Sequence, residues 1–362
     1  MTKKILICTG IFPPEVGGPA TYSKIVAEEL VKRGHHVRVL TYSDKPQKDN
    51  YSFPVIRILR SGFKPLHYLK YFLAVQRYGM KADVLYAQDP VSAGYPTYLA
   101  ARILKKPFAV KITGDYSWEQ AHGRGLTEKM IDDFQTLKDY PPKVRRMRDI
   151  QIHVAKSADA VIVPSEYLKR LVMGWGVKEK NIAVIYNAVE MPEVKLTKDE
   201  ARQKLGVKES NFLIVSSGRN VPWKGFEFLR KVNDKLESTN PDIILKMIYD
   251  APRSELHENI RAADVYVLNT GYEGLSNTLV EVLRLGTPII TTNVGGNPEI
   301  IQNGVNGLLI EYNNAKHLEM AILQLYNHRE LLKKLSENAP GTLGKFDLEK
   351  MINETERRLC AF

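Results

Sequence analysis

Short apolar runs alternate along the whole chain with longer stretches in which apolar positions recur every three or four residues. Short runs bounded by turn residues read as buried strands, and the longer periodicity reads as helices packed by one face. In the first half the strand-like runs are Ile5–Cys8, His36–Leu40, Val55–Leu59, Val84–Ala87, Phe108–Ile112 and Ala160–Val163. Between the first two, Tyr22, Ile25, Val26 and Leu30 fall on one helical face, and Gly34 supplies a stop. Strand, glycine loop, helix and strand therefore make a βαβ unit, which calls for a parallel sheet. The pattern restarts at Phe212–Val215 and continues through Ile243–Tyr249, Val265–Leu268, Pro288–Thr291 and Gly307–Ile310. The expected fold class is α/β, with two Rossmann-like parallel-sheet domains.

The polar stretch from Glu190 to Ser210 is the expected junction, with Met191-Pro192-Glu193-Val194-Lys195 as its linker. The expected domains are residues 1–190 and 191–346. Pro340-Gly341 breaks the run of C-terminal helices. The last segment, 347–362, is long enough to return and pack on the first domain. A chain of 362 residues suits two domains of middling size.

Composition narrows the class. With 44% hydrophobic and 26% charged residues the chain is globular. No apolar run approaches the ~20 residues that span a bilayer. The first run meets Gly10 and Pro13-Pro14 too soon for a signal peptide, and reads as a strand. Two cysteines, Cys8 and Cys360, give no disulfide framework, so a reducing, cytoplasmic setting is expected. The net charge of +11 is lopsided: residues 1–190 carry +12 and residues 191–362 carry −1. A basic first half suits an anionic partner such as a membrane surface, a phosphorylated acceptor or nucleic acid, or consists of solvated lysines. Phe63 to Phe72 mixes aromatic, aliphatic and basic residues. It suits an anionic lipid interface, or a core-facing helix with basic ends.

Two segments carry candidate chemistry. Gly218-Arg219-Asn220-Val221-Pro222-Trp223-Lys224-Gly225 follows a strand and leads into a helix. Ligands of open α/β sheets sit at the carboxyl ends of strands. A loop there offers N–H groups to an anion, and Arg219 and Lys224 add two cations. The second segment is Glu273-Gly274-Leu275-Ser276-Asn277-Thr278-Leu279-Val280-Glu281. Glu273 precedes the helix that begins near Asn277, and Glu281 lies about a turn inside it. Ionised carboxylates are acceptors that suit hydroxyl-rich ligands, and the helix N-terminus between them suits phosphate. By spacing alone the pair would also pass for two solvated helix glutamates.

The second segment continues through Gly286-Thr287-Pro288 and Val294-Gly295-Gly296-Asn297-Pro298-Glu299. Here the chain resembles glycosyltransferase family 4, retaining enzymes of two-domain GT-B fold with a cleft between the domains. Gly218-Arg219 with Trp223-Lys224-Gly225 resembles that family's donor-phosphate loop. Phe12-Pro13-Pro14 and Gly17-Gly18 resemble its first loop, and Ile185-Tyr186-Asn187-Ala188-Val189 its hinge-proximal strand. The resemblance implies that Arg219 and Lys224 grip the donor diphosphate and that Glu281 takes the ribose hydroxyls. It implies that Glu273 approaches the transferred sugar and that N–H groups from Gly274 and Leu275 through Ser276 to Asn277 hold phosphate. Gly17 and Gly18 would let their loop approach the donor.

The family often places a histidine beside the sugar where this chain has Gly114-Asp115-Tyr116, so Asp115 is the candidate there, as a sugar-positioning residue or a turn cap. No Asp-x-Asp pair and no His-Glu-x-x-His occurs, and two cysteines cannot build a zinc site, so no cofactor and no metal is expected. The partners implied are a nucleotide-sugar donor, a glycan or lipid-linked acceptor and an anionic membrane face, with no nucleic acid. A sugar-nucleotide epimerase or a phosphorylase would share the fold, although a phosphorylase wants a pyridoxal lysine and a longer chain. A dinucleotide oxidoreductase would want Gly-x-Gly-x-x-Gly after the first strand, where this chain has Gly10 and then Gly17-Gly18. A non-catalytic nucleotide-sugar or membrane-binding protein is a further alternative.

Overall fold

A computed structural model of the chain describes residues 2–60, 63–189, 194–249 and 251–362. The chain divides into two compact units, Met1–Asn187 with Glu349–Phe362, and Ala188–Leu348. Met191-Pro192-Glu193, the core of the expected linker, lies outside the described residues.

The first unit is built on seven strands, β1 (Lys4–Thr9), β2 (His36–Ser43), β3 (Val55–Leu59), β4 (Val84–Ala87), β5 (Phe108–Lys111), β6 (Ala160–Val163) and β7 (Ile182–Val184). They lie in the order β3-β2-β1-β4-β5-β6-β7, all parallel. The chain runs outward from β1 in one direction and from β4 in the other. The topological switch point, where such sheets bind ligands, therefore lies between the carboxyl ends of β1 and β4. The second unit has five parallel strands, β8 (Phe212–Ser217), β9 (Ile243–Ile248), β10 (Val265–Leu268), β11 (Ile289–Thr292) and β12 (Leu308–Ile310). Their order is β12-β11-β10-β8-β9, so the switch point lies between β8 and β10.

Both faces of these sheets are covered, which is why the strands read as continuous apolar runs. Phe212 and Ile214 pack with Leu229, Leu236 and Leu325, while Leu213 and Val215 are buried on the opposite face. In the first unit Tyr22, Ile25, Val26 and Leu30 are the buried stripe of the helix Gly18–Lys32. One strand differs from expectation. The chain pairs with β6 over Ile182–Val184 and leaves the sheet after Ile185, so Tyr186–Val189 is not strand. Asn187 turns instead toward the sheet interior, where its Oδ1 accepts from Lys111 Nζ at 2.8 Å.

Lys111 ends β5 fully buried, with its Nζ 3.5 Å from the centre of the Tyr22 ring. Burial pushes its pKa well below the ordinary 10.5. The helix Leu348–Leu359 packs on the first unit. Arg33 donates to Glu356 at 2.6 Å, and His35 Nε2 lies 2.9 Å from the same carboxylate. These two partners hold the Glu356 carboxyl below its usual range. Among the described residues, no helix is long and apolar enough to cross a membrane.

Candidate functional site

Two loops meet at the switch point of the second unit. The first leaves β8 at Gly218 and makes one turn at Pro222–Lys224 before the helix Phe226–Thr239. The second leaves β10 at Asn269 and runs to Ser276, the N-cap of the helix Asn277–Arg284. Gly271 donates its N–H to the Trp223 carbonyl at 2.7 Å, and Thr270 Oγ1 donates to the same oxygen at 3.3 Å. Gly225 takes a left-handed turn at φ +58, and a Cβ there would overlap the backbone of Asn269. Asn269 and Asn313 hold each other, Nδ2 to Oδ1 at 2.9 Å and N–H to Oδ1 at 3.3 Å.

This stitching brings Lys224 and Glu273 into an ion pair, both side chains largely buried. Arg219, in the same loop as Lys224, is exposed and pairs with none of the described residues. One edge of the sheet thus carries an exposed guanidinium, a lysine sharing its charge with one carboxylate, and a helix N-terminus. Gly274, Leu275 and Ser276 are buried, and Ser276 Oγ accepts from the Leu279 N–H at 3.4 Å. Asn277 is half-buried at the first helical position.

Glu281 lies on the same helix but belongs to a separate network. It is 1% exposed, accepts from Arg253, and has His257 Nε2 at 3.1 Å. Arg253 and His257 come from the helix Arg253–Ala262 and were not apparent in the sequence. Their only signal there is a cation and an imidazole four residues apart, which share a helical face.

In the first unit Gly17 is the N-cap of the helix Gly18–Lys32, and Gly18 is exposed. Asp115 takes the turn-cap geometry that was one of its two expected roles. It follows β5 as anticipated, and its carboxylate is turned inward and fully buried. It caps the helix Tyr116–Gly123, accepting from the Trp118 N–H at 3.0 Å and Ser117 Oγ at 2.6 Å. Gln151 and Gln135 donate to it at 2.7 and 2.8 Å, and Arg148 lies 3.9 Å away. Oδ1 accepts three of these bonds and Oδ2 one, so the carboxylate ties the loop to the helices around it. Among the described residues, no group of three or more His, Cys, Asp or Glu side chains could hold a metal ion.

The model for "Glycosyltransferase Family 4" matches residues 16–191, and that for "Glycosyl transferases group 1" matches residues 246–342. An uncharacterized glycosyltransferase of Methanocaldococcus jannaschii is 26% identical, over 97% of this chain and 96% of its own length. The N-acetyl-alpha-D-glucosaminyl L-malate synthase of Bacillus anthracis is 23% identical, over 95% of this chain and 93% of its own. The crystal structure of Anabaena HepE in complex with UDP and glucose superposes with a TM-score of 0.78 at 17% identity, covering 100% of both chains.

Proposed function

This chain belongs to glycosyltransferase family 4, the group 1 glycosyltransferases, and from that premise we propose that it transfers a sugar from a nucleoside diphosphate to an acceptor hydroxyl with retention and without a metal. The observation that carries the reading is the Lys224–Glu273 pair at the switch point of the second unit, with Arg219 exposed in the same loop as Lys224. A diphosphate entering there exchanges with the Glu273 carboxylate for Lys224 and takes up Arg219. The two cations are then fixed where negative charge develops as the glycosyl bond breaks. Glu273, released from Lys224, is an acceptor for hydroxyls of the sugar being moved.

In this reading the bond from the anomeric carbon to the β-phosphate oxygen breaks, and the acceptor oxygen bonds to that carbon on the same face. The departing phosphate takes the acceptor's proton, so no protein base is required. Asp115 has no part in the step. Glu281 takes the ribose hydroxyls by exchanging Arg253, whose side chain is 40% exposed and free to swing aside. The malate synthase and the UDP complex named above support a nucleotide-sugar donor and a small hydroxyl acceptor.

Incubation with UDP-, GDP- and ADP-sugars tests the donor. Slow hydrolysis of one class, with the α-anomer released first by proton NMR, is the expected result. In calorimetry Glu281→Ala weakens binding of the matching nucleoside diphosphate, whereas an unchanged dissociation constant removes Glu281 from the site.

A membrane surface is a second element of the proposal. On the helix Lys64–Gly79, Leu66, Leu69 and Leu73 are exposed in one stripe with Lys70 and Arg77. On the helix packed beside it, Gly94–Leu104, Tyr95, Leu99 and Ile103 are exposed with Arg102. Apolar stripes flanked by cations suit the surface of an anionic bilayer. Co-sedimentation with phosphatidylglycerol vesicles, weakened by salt, is expected. No binding at low salt refutes it.

A further inference from the structure

The amino ends of β1 and β2, across the first sheet from its switch point, border a cavity of about 410 Å³. Lys4 pairs in register with His36, and Leu6 with Arg38. Residues two apart on a strand share a face, so these four side chains stand together on one face of the sheet. Phe53, just before β3, also lines the cavity, with Tyr78 from the last turn of the helix Lys64–Gly79 and Lys81 beyond it. A strand rises about 3.3 Å per residue, so this wall is roughly 16 Å from Thr9 at the other end of β1.

The charge of the cavity is one-sided. Lys4, Arg38 and Lys81 bring three cations and His36 an imidazole, and none of the lining residues is an aspartate or glutamate. Among the described residues, none of these four side chains forms an ion pair or a hydrogen bond. Asp83, two residues after Lys81, accepts from the Lys4 backbone N–H at 2.7 Å. His35 is consumed, with its Nδ1 accepting from the Lys3 N–H at 3.1 Å and its Nε2 on Glu356. Nearby arginines have carboxylate partners. Arg57 on β3 donates to Asp49 at 2.7 and 2.9 Å, and Arg60 after β3 donates to Glu15 at 2.8 Å. Arg38 is half-buried without one. Part of the +12 of residues 1–190 therefore collects here. Cations gathered without a counter-charge repel one another, and a dianion between them reverses that cost.

The rest of the wall is apolar. Phe53 is 5% exposed, stacked on Tyr51 with ring centres 5.3 Å apart and set edge-on to Phe12. Tyr78 is half-buried. Aromatic walls suit a flat ligand body, and the arginine fork matches phosphate oxygens. The volume lies in the range of small-molecule sites.

We infer that this cavity is a binding site for a phosphate monoester with a flat apolar body, separate from the site of sugar transfer. The phosphate is held by Arg38, Lys4 and Lys81, and the body lies against Phe53 and Tyr78.

The test is calorimetry on the full chain with phenyl phosphate, inorganic phosphate and phenol. Phenyl phosphate is expected to bind more tightly than inorganic phosphate, and phenol not at all. Arg38→Gln is expected to weaken phenyl phosphate about tenfold. Lys81→Gln, at an exposed position outside strand and helix, is expected to weaken it about threefold and keeps the test open if Arg38→Gln unfolds. Lys334→Gln in the second unit controls for lost net charge and is expected to change nothing. Lys224→Ala is expected to leave the affinity unchanged, because its loop is not part of this cavity. Phosphatidylcholine vesicles carrying phosphatidic acid separate the two sources of such an ester: displacement of phenyl phosphate identifies a lipid headgroup, and no displacement a soluble ester. Equal binding of phenol, unchanged affinity in both Arg38→Gln and Lys81→Gln, loss in Lys224→Ala instead, or no binding of phenyl phosphate overturns the proposal.

Discussion

Gly295 lies against the carbonyl of Glu273 so closely that a Cβ placed on it would overlap that oxygen, and the next residue, Gly296, donates its N–H to the same oxygen at 2.9 Å. Gly296 is packed likewise on the Gly274 carbonyl. The turn after β11 therefore clamps the loop that carries Glu273. Gly295 also has φ +57, where an L side chain costs on the order of 1–2 kcal/mol. Gly295→Ala is expected to lower stability by more than that, because the overlap is with backbone that must move. It is expected to cut kcat through a displaced Glu273. Thermal unfolding and turnover measured together check this, and unchanged values for both contradict it.

The Asp115 network gives a second expectation. Two glutamine amides, a serine hydroxyl and a backbone N–H all donate to this one carboxylate. Asparagine would cap the helix nearly as well, but its NH₂ would face donors where an oxygen is needed. Asp115→Asn should lose about 1–3 kcal/mol of stability, the usual cost of leaving a buried partner unsatisfied. Its turnover per folded molecule should match the parent. A stable variant that loses transfer would return Asp115 to the catalytic machinery.

How much of this was legible beforehand differs between sheet and site. Ala160–Val163 and Val265–Leu268 were read to the residue, because strands buried on both faces are apolar runs cut by turn residues. Ile182–Val184 was missed: three residues at a sheet edge carry too little pattern. Lys224 and Glu273 were legible as residue types after strands. Their contact was not, because they lie 49 residues apart and meet only because β8 pairs with β10. Asp115 was placed correctly in the chain, but the direction of its carboxylate depends on Gln135 and Gln151, which reach it from other helices.

Lys111 sets a pH dependence. Its folded pKa is lowered by burial, so between that value and 10.5 the unfolded chain holds a proton that the folded chain does not. Its contribution to stability is therefore least at low pH and rises as pH increases through that window. Lys111→Met removes the titration, so the stability of the natural protein should gain on that of the variant as pH rises toward 10.5. Denaturant titrations across the alkaline range check it. A constant difference with pH would mean that Lys111 keeps its ordinary pKa.

The central claim is that Lys224, held by Glu273 at the switch point of the second unit, stabilises the departing diphosphate. The most direct measurement is the rate of nucleoside diphosphate release from the preferred nucleotide sugar by the natural protein and by Lys224→Ala. The account predicts a fall in kcat of roughly 10²–10³-fold, the scale for losing one preorganised charge stabiliser. The fold should be intact by thermal unfolding. Release at the natural rate by a folded Lys224→Ala protein would contradict it.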